Sequence, residues 1–159
     1  MASTGNIALL EGIPEIEDAF VVIVKTEWNP NIVDRLEDGA VRILNGQKIA
    51  FKTIIVPGAF EIPYAIKSYQ AHATIKADAF IAFGTVIRGD TPHFDYVCKA
   101  VTEGIVALNL QLDAPVIFGI LTVDNEQQAI ERVGGIHGHK GEEAGVAALK
   151  MIALQKSFK

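Results

Sequence analysis

The sequence predicts an α/β protein, a three-layer α/β/α sandwich built on a four-stranded parallel sheet. Three observations point there. Four short runs rich in β-branched and aromatic residues recur along the 159 residues. The first three are each followed by a segment whose apolar residues return at helical spacing. Strands joined by single helices cross over right-handedly and lie parallel, and a parallel sheet needs cover on both faces.

The first strand is residues 19–24 (AFVVIV), after which Ile32, Val33, Leu36, Ala40, Ile43 and Leu44 mark one face of a helix. Residues 51–56 (FKTIIV) form the second strand, followed by a helix over about 61–72. The third strand is residues 78–83 (DAFIAF), and Phe94, Val97, Cys98, Val101, Ile105 and Leu108 line the helix after it. Residues 115–121 (PVIFGIL) make the fourth strand, and helices over about 125–133 and 142–155 close the chain. Residues 1–18 stand outside this alternation as a leader, so one domain over 1–159 is expected.

A chain of this length buries about two thirds of its unfolded surface. Charged residues are 21% and the net charge is −5 with no basic stripe, which argues against nucleic acid or an anionic membrane as the main partner. Cys98, the one cysteine, falls on the apolar face of its helix and reads as a buried core thiol; a disulfide and a cysteine-based zinc site are excluded. No run approaches the roughly 20 apolar residues of a membrane span, and no basic-then-apolar leader is seen. A soluble protein of a reducing cytoplasm is expected.

The densest cluster of special residues is FGTVIRGDTPHFDY at 83–96, where an apolar run gives way to glycines and polar residues and then resumes with helical period. Such a helix start presents unpaired N–H groups and the positive end of the helix dipole, which favour an anion. Asp90 or Thr91 is the expected N-cap, with Pro92 and His93 in the first turn. Asp-Thr-Pro before an amphipathic helix is also ordinary capping chemistry. In a parallel sheet ligands gather at the carboxyl ends of the strands, and those ends carry Trp28 and Asn29, then Pro57 to Glu61, then Gly84 to His93. The glycine signatures of dinucleotide and ATP sites are absent.

Five blocks occur in order: Trp28-Asn29, VPGAFEIP at 56–63, GTVIRGDTPHFDYV at 84–97, PVIFGILT at 115–122, and EQQAIER at 126–132 with Lys140-Gly141. With them the chain, over residues 20–158, resembles the 6,7-dimethyl-8-ribityllumazine synthase family. The resemblance implies a flavodoxin-like fold and a transferase of riboflavin biosynthesis that uses no cofactor and no metal. It implies condensation of 5-amino-6-(D-ribitylamino)uracil with 3,4-dihydroxy-2-butanone 4-phosphate. It also implies pentamers, in many members twelve of them in a 60-subunit shell, with riboflavin synthase as a protein partner. A segment within residues 5–10 would add to a neighbour's sheet, and the spacing from Arg132 to Lys140-Gly141 equals that of shell-forming members.

Residue by residue, the resemblance sets the pyrimidine against Trp28, with Asn29 beside it, and gives the pyrimidine and ribityl chain Ala59, Phe60, Glu61, Thr85, Val86 and Ile87. Gly89, Asp90 and Thr91 hold the phosphate, largely through backbone N–H groups, with Arg132 completing the charge. His93 is the proton carrier, suited to the task because an imidazole titrates near neutrality. Phe118 and Lys140 come from the adjacent subunit, Phe118 as the second face of an aromatic sandwich. Bland alternatives stand beside these roles: Trp28 and Phe118 as core, Glu61 and Arg132 as partners of helix dipoles, Arg88 as half of an ion pair. The spacing of His137 and His139 could suggest a metal, but no third ligand is in sight. A catalytically silent flavin-binding or shell-forming paralogue would keep the scaffold with a broken site. Another phosphosugar lyase would need a Schiff-base lysine or a metal cluster at the same edge.

Overall fold

The computed structural model describes residues 11–158. Four parallel strands, β1 (Phe20–Thr26), β2 (Ala50–Val56), β3 (Ala79–Ile87) and β4 (Val116–Val123), lie in the order β2-β1-β3-β4. Helices α1 (Pro30–Gly46), α2 (Ile62–His72) and α3 (His93–Gln111) follow the first three strands. After β4 come a short α4 (Glu126–Ile130), a two-stranded ribbon of β5 (Val133–Gly135) and β6 (Gly138–His139), and α5 (Lys140–Ser157).

Strand alternation divides the core into two layers, as a sheet covered on both faces requires. Val21, Ile23, Ile81 and Phe83 meet α1 and α5, through residues such as Ile32, Leu36, Leu149 and Ile152. Val22, Val24, Phe80 and Ala82 turn the other way onto Ile62 and Ile66 of α2 and Val101, Ile105 and Leu108 of α3. The central β3 is buried from Ala79 through Thr85, which explains its unbroken apolar run.

The structure shifts several expected boundaries. β3 does not stop at Phe83: residues 84–87 (Gly-Thr-Val-Ile) remain paired with Ile120 to Val123 of β4, which satisfies backbone groups that would otherwise be costly to leave unpaired. The expected helix over 125–133 is only α4, and Val133 to His139 form a ribbon that the sequence reading does not contain. Gly134 at φ 106° and Gly138 at φ 77° supply conformations that a helix cannot use. Within the leader, Ile16 is buried in the α1/α5 layer and Lys150 and Lys156 donate to the carbonyls of Glu11 and Glu17, so residues 11–18 lie on the chain's own core. The segment expected to reach a neighbour's sheet, residues 5–10, lies outside the described residues.

Helices α1 and α5 touch backbone to backbone. A Cβ on Gly141 would overlap the Leu36 carbonyl, and one on Gly39 would overlap the His139 ring. That ring caps α5, Nδ1 accepting from the Glu142 N–H at 3.4 Å. Burial holds the His139 pKa below its ordinary value; Glu142 opposes this, while Arg42 and Arg35 add to it.

Two outcomes are expected from this seam. Gly141→Ala should destabilise the fold by about 1–3 kcal/mol in urea denaturation, since overpacking outweighs the helix propensity gained; unchanged stability would mean that the seam can part freely. The second concerns pH. The unfolded chain protonates His139 near its ordinary pKa of about 6.5, whereas the folded chain does so only at lower pH, so stability should decline as pH falls below about 6.5. In His139→Asn, which keeps a short capping acceptor but does not titrate, the decline between pH 7 and 5 should be shallower; parallel profiles for the two proteins would refute the assignment.

Candidate functional site

The site begins with a mismatch of strand length. Pairing of β1 with β3 ends at Lys25 opposite Phe83, whereas β3 continues beside β4 as far as Ile87 opposite Val123. Residues 84–87 therefore overhang β1. The chain leaves β1 through Asn29, whose φ of 57° lies in the left-handed region that asparagine tolerates, and Pro30 opens α1. The Asn29 side chain substitutes for the missing strand, Nδ2 donating to the Thr85 carbonyl at 2.8 Å.

Above the overhang lies a cleft of about 600 Å³ whose walls include Trp28, Asn29, Ala59, Phe60, Glu61, Thr85, Val86, Ile87 and His93. Nine expected residues from four separate chain segments thus meet in one place. That volume falls within the range of small-molecule sites. Trp28 is 72% and Phe60 64% exposed, so neither serves as core, and both offer flat apolar faces to a planar ligand. Ala59 to Glu61 form a 3-10 turn ahead of α2, and the Glu61 carboxylate makes no capping bond there. At Gly84 a Cβ would stand 3.3 Å from Thr26 Cγ2 and crowd the floor where β1 gives way. The Thr85 hydroxyl is buried and has no hydrogen-bond partner among the described residues.

Three lining residues were missed by sequence reasoning: Thr26, Gly58 and Val97. Val97 was open to discovery, since it sits one helical turn after His93 and shares its face. Gly58 lies in the strand-end segment Pro57 to Glu61 already singled out, whereas Thr26 carries no such signal, because it lines the cleft only through the way β1 ends.

At the anion end, α3 starts at His93 with Pro92 as a cap residue that has no side-chain capping bond. Thr91 Oγ1 accepts from the His93 N–H at 3.4 Å, a weak version of the expected cap, and Asp90 does not serve. Gly89, Asp90, Thr91 and His93 are all exposed. Beside them Arg88 binds two acids, Nε donating to Asp124 Oδ1 at 3.0 Å and Nη1 to Asp95 Oδ1 at 3.2 Å. Arg132 is half-buried just beyond α4, and its Nη1 donates to the Gln128 carbonyl at 2.7 Å. The dipole role weighed for Arg132 is realised in this bond.

Phe118 and Lys140 lie apart from the cleft. Together they border a second hollow of about 310 Å³ between β4 and α5, where Lys140 Nζ donates to both oxygens of Glu143 at 2.8 Å. Phe118 is 43% exposed, since β4 is an edge strand, so the core reading fails for it too. Cys98 is only half-buried: the buried stripe of α3 is Val101, Ile105 and Leu108, and Cys98 stands on its flank beside Lys99, Thr102 and Phe118. Partial burial and, after it, the nearby Asp95 push the Cys98 thiol pKa up, which keeps it a poor nucleophile. His139 is the helix cap described above, and His137 Nε2 lies 3.8 Å from Glu131 Oε2. Among the described residues no helix is long and apolar enough to cross a membrane.

With this geometry in view, the chain is compared with known proteins. The sequence model of the family described as 6,7-dimethyl-8-ribityllumazine synthase matches residues 18–156. A relative from Porphyromonas gingivalis carrying that name is 48% identical over 149 residues, spanning 92% of this chain and 91% of the relative. One of the same name from Parabacteroides distasonis is 46% identical over 143 residues, 88% of each chain. A third, from Cytophaga hutchinsonii, is 44% identical over 144 residues and 89% of each.

Proposed function

The chain belongs to the 6,7-dimethyl-8-ribityllumazine synthase family, and from that premise we propose that it condenses 5-amino-6-(D-ribitylamino)uracil with 3,4-dihydroxy-2-butanone 4-phosphate. The products are 6,7-dimethyl-8-ribityllumazine, phosphate and two waters. The observation that carries the residue assignment is the gathering of Trp28, Asn29, Glu61, Thr85 to Ile87 and His93 in one cleft at the carboxyl edge of the sheet.

In this reading the pyrimidine lies on Trp28 against the overhanging edge of β3. The Asn29–Thr85 bond shows that one face of that edge already accepts a donor from outside the sheet, and Ile87, two residues on, directs its backbone polar groups to the same side. Ala59, Phe60 and Glu61 flank the ribityl chain, Glu61 accepting from its hydroxyls. The phosphate sits on the N–H groups of Gly89, Asp90 and Thr91, at the positive end of the 19-residue α3, and Arg132 turns to it as the counter-charge.

The reaction starts when the pyrimidine amine attacks the ketone. An imine forms with loss of water, a proton leaves the neighbouring carbon as phosphate departs, and the second amine closes the ring with loss of another water. His93, in the first turn of α3 between the two substrates, carries protons in these steps. Orientation supplies much of the acceleration, because effective molarities of about 10⁵ M or more are reached by well-placed pairs.

The working unit in this reading is a cytoplasmic homopentamer, assembled further into a 60-subunit shell with riboflavin synthase as a partner. Two observations support a site shared between copies. Phe118 and Lys140 border a hollow other than the main cleft, and among the described residues neither outer strand of the four-stranded sheet has a partner on its outer edge, with Ile55 on β2 57% exposed. Residues 7–10 (Ile-Ala-Leu-Leu) of a neighbour would cover the β2 edge. A silent paralogue is disfavoured by the intact cleft.

Incubation of the purified protein with both substrates should give lumazine fluorescence without added metal or nucleotide. His93→Ala should lower turnover by roughly 10- to 1000-fold with the fold intact, because orientation survives the loss; full turnover across pH 6 to 8 would make His93 a bystander.

Mixing Phe118→Ala subunits with His93→Ala subunits probes the shared site. Subunit exchange should regenerate sites with both residues intact, so activity should exceed the weighted sum of the parents. Strict additivity after confirmed exchange would show that each site is built within one chain.

A further inference from the structure

We propose that Arg88 is a positioning residue that sets the spacing between the two halves of the phosphate site, the turn at 89–91 and Arg132, without itself touching the phosphate. The inference rests on the phosphate site proposed above. Arg88 is the first residue after β3, and its guanidinium is engaged on three sides. Nε donates to Asp124, immediately beyond β4, at 3.0 Å, and Nη1 donates to Asp95 in the first turn of α3 at 3.2 Å. Its flat face lies over the Phe94 ring, Cζ 4.0 Å from the centroid. Its backbone N–H is fixed as well, donating to the Val123 carbonyl at 2.9 Å.

From each acid the connection runs on to a phosphate-binding element. Asp95 and Phe94 follow His93 in the helical turn that ends the 89–91 loop, so that loop is pinned at both ends by one side chain. On the other side the Asp124 N–H donates to Gln128 Oε1 at 2.9 Å, and the Gln128 carbonyl accepts from Arg132 Nη1 at 2.7 Å. Among the described residues Arg88 thus bridges the loop donors and Arg132 in this hydrogen-bond path.

The same geometry argues against direct phosphate contact. Two carboxylates already engage Nε and Nη1, and their charge would repel a dianion approaching the guanidinium. The two acids also raise the Arg88 pKa, Asp124 through its hydrogen bond foremost, so the fork stays charged. Exposed ion pairs of this kind add little to global stability, which leaves geometry as their contribution. Lysine does not reproduce it, since an ammonium is a point charge without the planar fork that fixes the direction of each bond.

The test compares Arg88→Gln, Arg88→Lys and the double variant Asp95→Asn/Asp124→Asn as assembled proteins. Inorganic phosphate and the pyrimidine substrate are titrated separately by calorimetry, alongside kcat and KM for the butanone phosphate. Arg88→Gln should weaken phosphate about 5- to 20-fold and leave the pyrimidine within about twofold, with no rescue by lysine. The double variant, which retains Arg88, should lose phosphate affinity to a similar extent even though it removes two negative charges near an anion. If it binds phosphate as tightly as the unaltered protein or more tightly while Arg88→Gln does not, Arg88 is a direct ligand and the inference falls. Unchanged phosphate binding in all three variants, or equal loss of pyrimidine and phosphate, overturns it as well. An unaltered protein that forms no lumazine from its two substrates would instead strike the functional reading beneath it.

Discussion

Strand β3 runs on beside β4 after β1 has turned away, and the candidate site is a consequence of that unequal length. A parallel sheet satisfies backbone groups by neighbour pairing, so a strand that outlasts its neighbour leaves polar groups facing a gap. Part of this gap is closed from within, by Asn29 in its left-handed turn bonding the Thr85 carbonyl. The remainder is a cleft with a backbone edge on one side and aromatic rings beside it. Trp28, the 3-10 turn at Ala59–Glu61 and the start of α3 all stand at its rim because each follows the carboxyl end of a strand.

That overhang holds its place because the layers beneath it cannot shift. The β3 side chains alternate between two apolar layers with every position before Val86 buried, and the α1/α5 seam is so close that Gly39 and Gly141 admit no side chain. The seam has a chemical corollary at its upper end. His139 can cap α5 only as a neutral imidazole, so the packing of two helices is tied to a proton, and the residue after that cap is Lys140. The helix start that presents Lys140 is therefore anchored by the same seam that stabilises the sheet.

Charge in this protein is arranged locally rather than globally. The net charge is −5, yet the proposed substrates include a phosphate, so attraction must come from a helix start, a few backbone N–H groups and individual guanidinium groups. Arg132 is spent on a backbone carbonyl and Lys140 on Glu143 in the single chain. Arg88 differs, being clasped by two acids and an aromatic face, which suits a strut better than a ligand.

The sequence by itself determined the layered fold and named most of the residues that line the candidate cleft. Hydrophobic period is a local property, and it located four strands and their helices; ordered motif blocks located the residues from Trp28 to His93, because chemistry at strand ends is written in short segments. Only the tertiary structure decided the rest. Periodicity could not show that β3 extends to Ile87, since that depends on β4 lying alongside, nor that Val133 to His139 form a ribbon stabilised by two left-handed glycines. Exposure was equally hidden. For Trp28 and Phe118 residue type alone left core open as an alternative, because they are large and apolar, and Cys98 read as core because it keeps a helical spacing. All three lie where a strand ends, a sheet has its edge or a helix turns its flank, and those are facts of packing between elements distant in the chain.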